Sequence, residues 1–166
     1  MATGTSVSVQ EYLHTPYQPD CDYVDGVVVE RNLGEYDHAK LQGALIGYFY
    51  PRRRELQLHV YPSLRMQVSS TRFRVPDLCV VVGEEPKEQI LTQPPFLCIE
   101  VLSVEDRLNA QQKRCRDFVT FGVPYVWILD PRKQKAYRVT AGGMHEVTEL
   151  RTENPEILVP LATLFE

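Results

Sequence analysis

No uninterrupted apolar run in this chain approaches the 18 or so residues needed to cross a bilayer, and the longest, such as Leu78–Val82, are strand-sized. No membrane partner is therefore expected. The stretch Met1–Val9 has no Lys or Arg followed by an apolar block, so no secretory leader is expected either. Cysteine is scarce: Cys21, Cys79, Cys98 and Cys115 form no C-x-x-C pair. Cys79 and Cys98 lie inside apolar runs, where a free thiol acts as a small hydrophobe, and a reduced, cytoplasmic protein is expected. Positive charge is short as well. Against 22 Asp and Glu stand 18 Lys and Arg, a formal net charge of −4. That argues against coating nucleic acid with the whole surface but leaves room for a local basic groove. The chain also lacks a P-loop, an HExxH pair, a dinucleotide-binding glycine fingerprint and a GxSxG elbow.

What remains is ordinary globular material, 43% apolar and 24% charged over 166 residues. A chain of this length buries roughly 70% of its unfolded surface, enough for one core without disulfides. No repeat or linker divides it, so a single domain, 1–166, is expected. Ser8-Val9-Gln10-Glu11 reads as a capping box opening a short helix. Tyr23 to Arg31 reads as a Val-rich strand with a turn or bulge at Asp25-Gly26. Asp37 to about Tyr50 is predicted helical, with Leu41, Ala44, Leu45, Tyr48 and Phe49 on one buried stripe. Strands are predicted over 56–61, 64–68, 73–82 and 96–102, then a helix from about Asp106 to Phe121 ended by Gly122. Further strands follow over 125–129, 135–140 and 144–150. The order predicts an α+β fold, a mixed or antiparallel sheet flanked by helices.

Two acids break the pattern. In Phe96-Leu97-Cys98-Ile99-Glu100-Val101-Leu102 both strand faces are apolar except at Glu100, and Asp77 opens a second apolar strand directly after Pro76. A buried carboxylate must be neutralised, find a cation or bind a metal. Two acids at the ends of neighbouring strands can converge on one hard cation such as Mg²⁺. The structural alternative is that Asp77 caps the turn after Pro76 while Glu100 pairs with an arginine.

Pro76-Asp77 followed by Glu100 in the next strand resembles the PD-(D/E)xK nuclease superfamily. Within it, Glu100-Val101-Leu102-Ser103, Phe121-Gly122-Val123-Pro124 and Tyr125-Val126-Trp127-Ile128-Leu129-Asp130-Pro131 resemble the Uma family of restriction endonucleases. So do Tyr23-Val24-Asp25-Gly26-Val27-Val28 and the closing Leu161-Ala162-Thr163-Leu164-Phe165. The resemblance implies a restriction-endonuclease-like core around a mixed central sheet. It implies a Mg²⁺ or Mn²⁺ ion ligated by Asp77, Glu100 and the backbone carbonyl of Val101, cleaving a DNA phosphodiester. A homodimer, one site per strand, is implied by the same analogy.

The superfamily places a Lys two residues after the Glu, but that position is Leu102. In the Uma branch the Lys comes from the following helix, four residues before an aromatic, and counting back from Phe118 that slot holds Arg114 beside Lys113. With Leu108, Cys115, Phe118 and Val119 setting the buried face, Lys113 lies roughly 160° away and Arg114 roughly 100° away. Arg114 can thus reach the sheet edge while Lys113 points to solvent. An arginine holds a phosphate or carboxylate in its fork but is a poor proton shuttle. His38, on the inward stripe of its helix, resembles a Uma-pattern histidine near the metal pocket, with proton transfer or support of the site as its role. Arg72 and Arg74 alternate along the strand leading to Asp77 and are candidate phosphate contacts. Glu30-Arg31 reads as a surface pair, and Arg52 to Arg54 as cations complementing a helix C-terminus. The absent Glu-x-Lys lysine leaves a rival from another class, a catalytically degraded nuclease fold acting as a binding or assembly module.

Overall fold

The computed structural model describes residues 6–31, 34–103 and 106–166, so part of the Met1–Val9 stretch, where no leader is expected, lies outside the described residues. Helix α1 (Val9–Leu13) begins where the capping box predicts, the Ser8 hydroxyl accepting the Glu11 N–H at 3.1 Å. The Val-rich stretch after it is a hairpin rather than one strand: β1 (Asp22–Val24) and β2 (Val27–Val29) pair antiparallel. Asp25 and Gly26 both have positive φ, 48° and 93°, as a tight primed turn between twisted strands requires. Helix α2 (Tyr36–Phe49) buries His38, Leu41, Leu45 and Phe49, and Pro51 ends it in a single tighter turn.

Strands β3 (Leu58–Pro62), β4 (Met66–Ser69), β5 (Arg72–Arg74) and β6 (Leu78–Val82) follow. The single strand predicted over 73–82 is therefore two, and they enter different sheets. Pro76 explains the break, having no N–H to continue a ladder. Next come β7 (Leu97–Val101), α3 (Leu108–Phe121), β8 (Tyr125–Asp130), β9 (Lys135–Thr140) and β10 (Gly143–Val147). Gly122 closes α3 at φ 110°, its N–H donating back to the Phe118 and Val119 carbonyls. The strand predicted over 144–150 also ends early, and β11 (Leu150–Thr152), β12 (Ile157–Val159) and α4 (Leu161–Leu164) complete the chain.

The central sheet has the order β10-β9-β8-β7-β6-β3. Only β7 and β8 run parallel, with α3 as their crossover, so the sheet is mixed as the α+β reading expects. A second sheet, β2-β1-β5-β4, and the β11-β12 pair lie beside it. Alternation along β7 divides the core. Leu97, Ile99 and Val101 pack with Trp127, Leu129 and the α2 residues Leu41, Leu45 and Phe49. Cys98 and Leu102 pack on the other face with Val126, Ile128 and the α3 residues Cys115 and Phe118. Each large side chain so buried contributes about 1.5–3 kcal/mol before entropy is counted. Strand period then puts Glu100 on the α3 face, between Cys98 and Leu102. A third cluster, Tyr12 with Tyr23 and Phe73, anchors the hairpin, and the Tyr12 hydroxyl donates to the Cys21 carbonyl at 2.6 Å. All four cysteines are free and buried.

Candidate active site

The register of the two central strands brings the acids together. Leu78 pairs with Ile99, so one step further along the antiparallel pair Asp77 lies opposite Glu100. Opposed side chains share a sheet face, with Cβ atoms about 5 Å apart. Asp77 is 6% exposed and Glu100 2%, and both line one cavity of about 260 Å³ together with Asp22, Arg31, Gln111 and Arg114.

Asp77 is heavily hydrogen-bonded. Its Oδ1 accepts from Arg31 Nη2 at 2.7 Å and lies 3.2 Å from His38 Nε2, and its Oδ2 accepts the Val101 N–H at 2.8 Å. The Gln42 amide donates to the Asp77 carbonyl at 2.7 Å, tying β6 to α2. Burial alone would raise the Asp77 carboxyl. The His38 hydrogen bond and the His38, Arg31 and Arg114 charges outweigh it and hold the carboxyl down to about 2. Reciprocally, the hydrogen bond to Asp77 raises His38 against the opposing effect of burial.

Glu100 is treated differently. Its Oε2 pairs with Arg114 Nη1, while its buried Oε1 has no hydrogen-bond partner among the described residues. Burial pushes its carboxyl well above the usual range, Arg114 opposing and the Asp77 charge reinforcing the rise. Arg114 itself is clamped by a residue that sequence reasoning missed. Asp22 accepts Arg114 Nε at 2.6 Å and Nη2 at 3.2 Å, and Nη2 also donates to the Val75 carbonyl at 2.6 Å. Asp22 further accepts from Arg74 Nη1 at 3.2 Å and from the Val75 N–H at 2.8 Å. Burial would raise the Asp22 carboxyl, but Arg114 and Arg74 hold it below its ordinary value. One guanidinium thus serves two acids. Asp22 receives it side-on, whereas Glu100 receives a single Nη and faces the Asp77 charge, so Glu100 is the acid whose charge is the less compensated.

The predicted residues are not all gathered. Asp77, Glu100, Arg114 and His38 converge, and Arg114 reaches the sheet from the flank that the helical wheel assigns it. Lys113 is exposed at the cavity mouth. Arg74 lies in the cavity wall, held by Asp22 and, at 2.6 Å, by Asp117. Arg72 lies outside the wall, paired with Asp25 at 2.9 Å and Asp117 at 2.8 Å. Val101 touches Asp77 through its N–H. Arg31, read from sequence as half of a surface pair with Glu30, is instead a direct partner of Asp77. Arg52 keeps the structural role expected of it, donating to the Tyr48 carbonyl at 2.6 Å and lying over the Tyr48 ring.

Among the described residues no group of three or more His, Cys, Asp or Glu side chains is placed to hold a metal ion. Two carboxylates fit a hard divalent ion that keeps several waters, as Mg²⁺ does. The bare Glu100 Oε1 is the observation that favours such an ion, since a buried acceptor with no donor is costly. Against it, Arg31 and Arg114 already neutralise one oxygen of each acid, so an ion here would share the carboxylates with them.

A family model described as "Putative restriction endonuclease", Uma2, matches residues 9–165. Among solved structures, a putative nuclease belonging to DUF820 from Anabaena variabilis superposes with a TM-score of 0.80. It is 18% identical, over 96% of this chain and 97% of that one, a likeness that establishes the fold. No curated protein matches the chain.

Proposed function

Because the chain belongs to the Uma2 family, we propose that it is a divalent-metal-dependent endonuclease hydrolysing DNA phosphodiester bonds, folded as one domain over 1–166. The observation that carries this reading is the Asp77–Glu100 pair on one cavity wall, with a buried Glu100 oxygen left without a partner. Asp77, Glu100 and the Val101 carbonyl would hold Mg²⁺ or Mn²⁺. When bound, the ion would activate water and offset charge on the phosphate.

The chain's own residues supply the rest. Arg114, fixed by Asp22, presents a permanent positive charge beside Glu100, suited to the phosphate oxygens as they gain charge. His38, hydrogen-bonded to Asp77, can hold or move a proton at Nε2. Arg72 and Arg74 would contact the DNA backbone from beside the cavity by exchanging Asp117 for phosphate. A homodimer in the cytoplasm would set one site on each strand.

The test is cleavage of supercoiled DNA with Mg²⁺ or Mn²⁺ by wild type beside Glu100→Ala, with Mn²⁺ binding followed by calorimetry for Asp77→Ala and Glu100→Ala. Cleavage and binding by wild type, both lost in the variants, support the reading. One observation favours a second reading, a degraded nuclease fold used as a binding module: Asp77 and Glu100 are each already paired with an arginine. That reading requires no cleavage by wild type and metal binding that neither substitution changes.

A further inference from the structure

Among the described residues, two buried acceptors on the cavity wall lack a donor. One is Glu100 Oε1, and the other is Gln111 Oε1. Gln111 is 8% exposed and lies one turn before Arg114 on α3, so its side chain shares that flank of the helix. Its orientation is set from the other end of the amide. Nε2 donates to Asp106 Oδ1 at 3.0 Å, and Asp106 Oδ2 in turn accepts the Ser103 N–H at 2.8 Å. The amide therefore spends its donor on Asp106 and leaves its carbonyl unused. The neighbouring residues of α3, Cys115 and Phe118, are buried against apolar partners, and a leucine at 111 would leave no unsatisfied acceptor.

We propose that Gln111 is a positioning residue for the attacking water, an assignment that rests on the nuclease reading. Both orphan acceptors belong to residues lining one cavity, and a water molecule has two hydrogens to offer them. With one hydrogen on Glu100 Oε1 and the other on Gln111 Oε1, its lone pairs are free to face a phosphate. Arg114 cannot do this, because a guanidinium only donates. In the step itself the water oxygen bonds to phosphorus and one P–O ester bond breaks. The bonding pair leaves on the ester oxygen, which takes a proton from solvent, and the water's proton is released to solvent. Gln111 accepts a hydrogen bond throughout and is never protonated.

The experiment compares wild type with Gln111→Met, which keeps the side-chain length and removes the acceptor together with the Nε2 donor to Asp106. The expected result is a fall in kcat of about 100-fold, the scale of a misplaced reactant. KM for supercoiled DNA and Mn²⁺ affinity should be unchanged, with Tm lowered only slightly by the lost Asp106 contact. A high-resolution crystal structure of wild type should show an ordered water within hydrogen-bond reach of both Oε1 atoms, and that of Gln111→Met should lack it. Unchanged kcat in an active enzyme, or wild-type crystals with no such water, overturns the assignment of Gln111 alone. If Gln111→Met does not fold, the wild-type crystal decides. A wild type that cleaves no DNA overturns the nuclease reading, and this assignment with it.

Discussion

Asp77, held from the α2 side of the cavity, and Glu100, held from α3, are handled in opposite ways. Asp77 and Glu100 are nearly equally buried, yet Asp77 is held down to about 2 while Glu100 is pushed well above its ordinary value. Burial cannot account for the difference. Arg31, His38 and the Val101 N–H satisfy both Asp77 oxygens, so ionisation is favoured there. Glu100 shares one cation with Asp22 and keeps a bare oxygen, so its charge is under-compensated. The number of donors facing a carboxylate, more than its depth, sets its state.

Removing the shared cation should have the largest effect. Arg114→Met leaves Asp22 charged, buried and short of its main partner, and should cost about 3–5 kcal/mol in chemical denaturation. A much smaller loss would mean that Arg74 suffices for Asp22. Asp77→Asn should cost roughly 2 kcal/mol at pH 7, since a carboxyl lowered from 3.8 to about 2 stabilises the fold by that order.

The same substitution should alter the acid limb of a stability–pH curve. A depressed carboxyl contributes stability that is present above about pH 3.8 and lost as pH falls towards 2. Asp77→Asn should flatten that limb, and a limb of unchanged slope would show that Asp77 is not held ionised. Glu100→Gln should have the smallest effect and the opposite sign. Because burial penalises the Glu100 charge in the folded state, the amide should be neutral at pH 4 and increasingly stabilising as pH rises through the raised Glu100 value. Destabilisation by Glu100→Gln at pH 8 would erase the contrast between the two sides.

Much of the site is legible in the chain because some residues violate their local pattern. Glu100 interrupts a strand apolar on both faces, Asp77 follows a proline at the start of another, and Arg114 sits at a computable angle from a buried helical stripe. Asp22 breaks no pattern. It acts on Arg114 from 92 residues away and is placed by the Tyr12, Tyr23 and Phe73 cluster that seats β1. Arg31 reaches Asp77 across 46 residues, and nothing in Glu30-Arg31 distinguishes it from a surface pair. Gln111 carried a weak signal, its spacing of three from Arg114, but a glutamine on a helix flank is ordinary. The split of 73–82 into two sheets also goes beyond what Pro76 alone announces, because a proline marks a break without saying where the second half goes.

By itself the sequence determined the first three helices, the two apolar central strands and the acids that do not belong in them, because period and polarity are local properties. Only the tertiary structure decided which cation each acid receives. Coulombic pairing depends on distance in space, and β1, α2 and α3 meet at the cavity only once the sheets have been assembled around them.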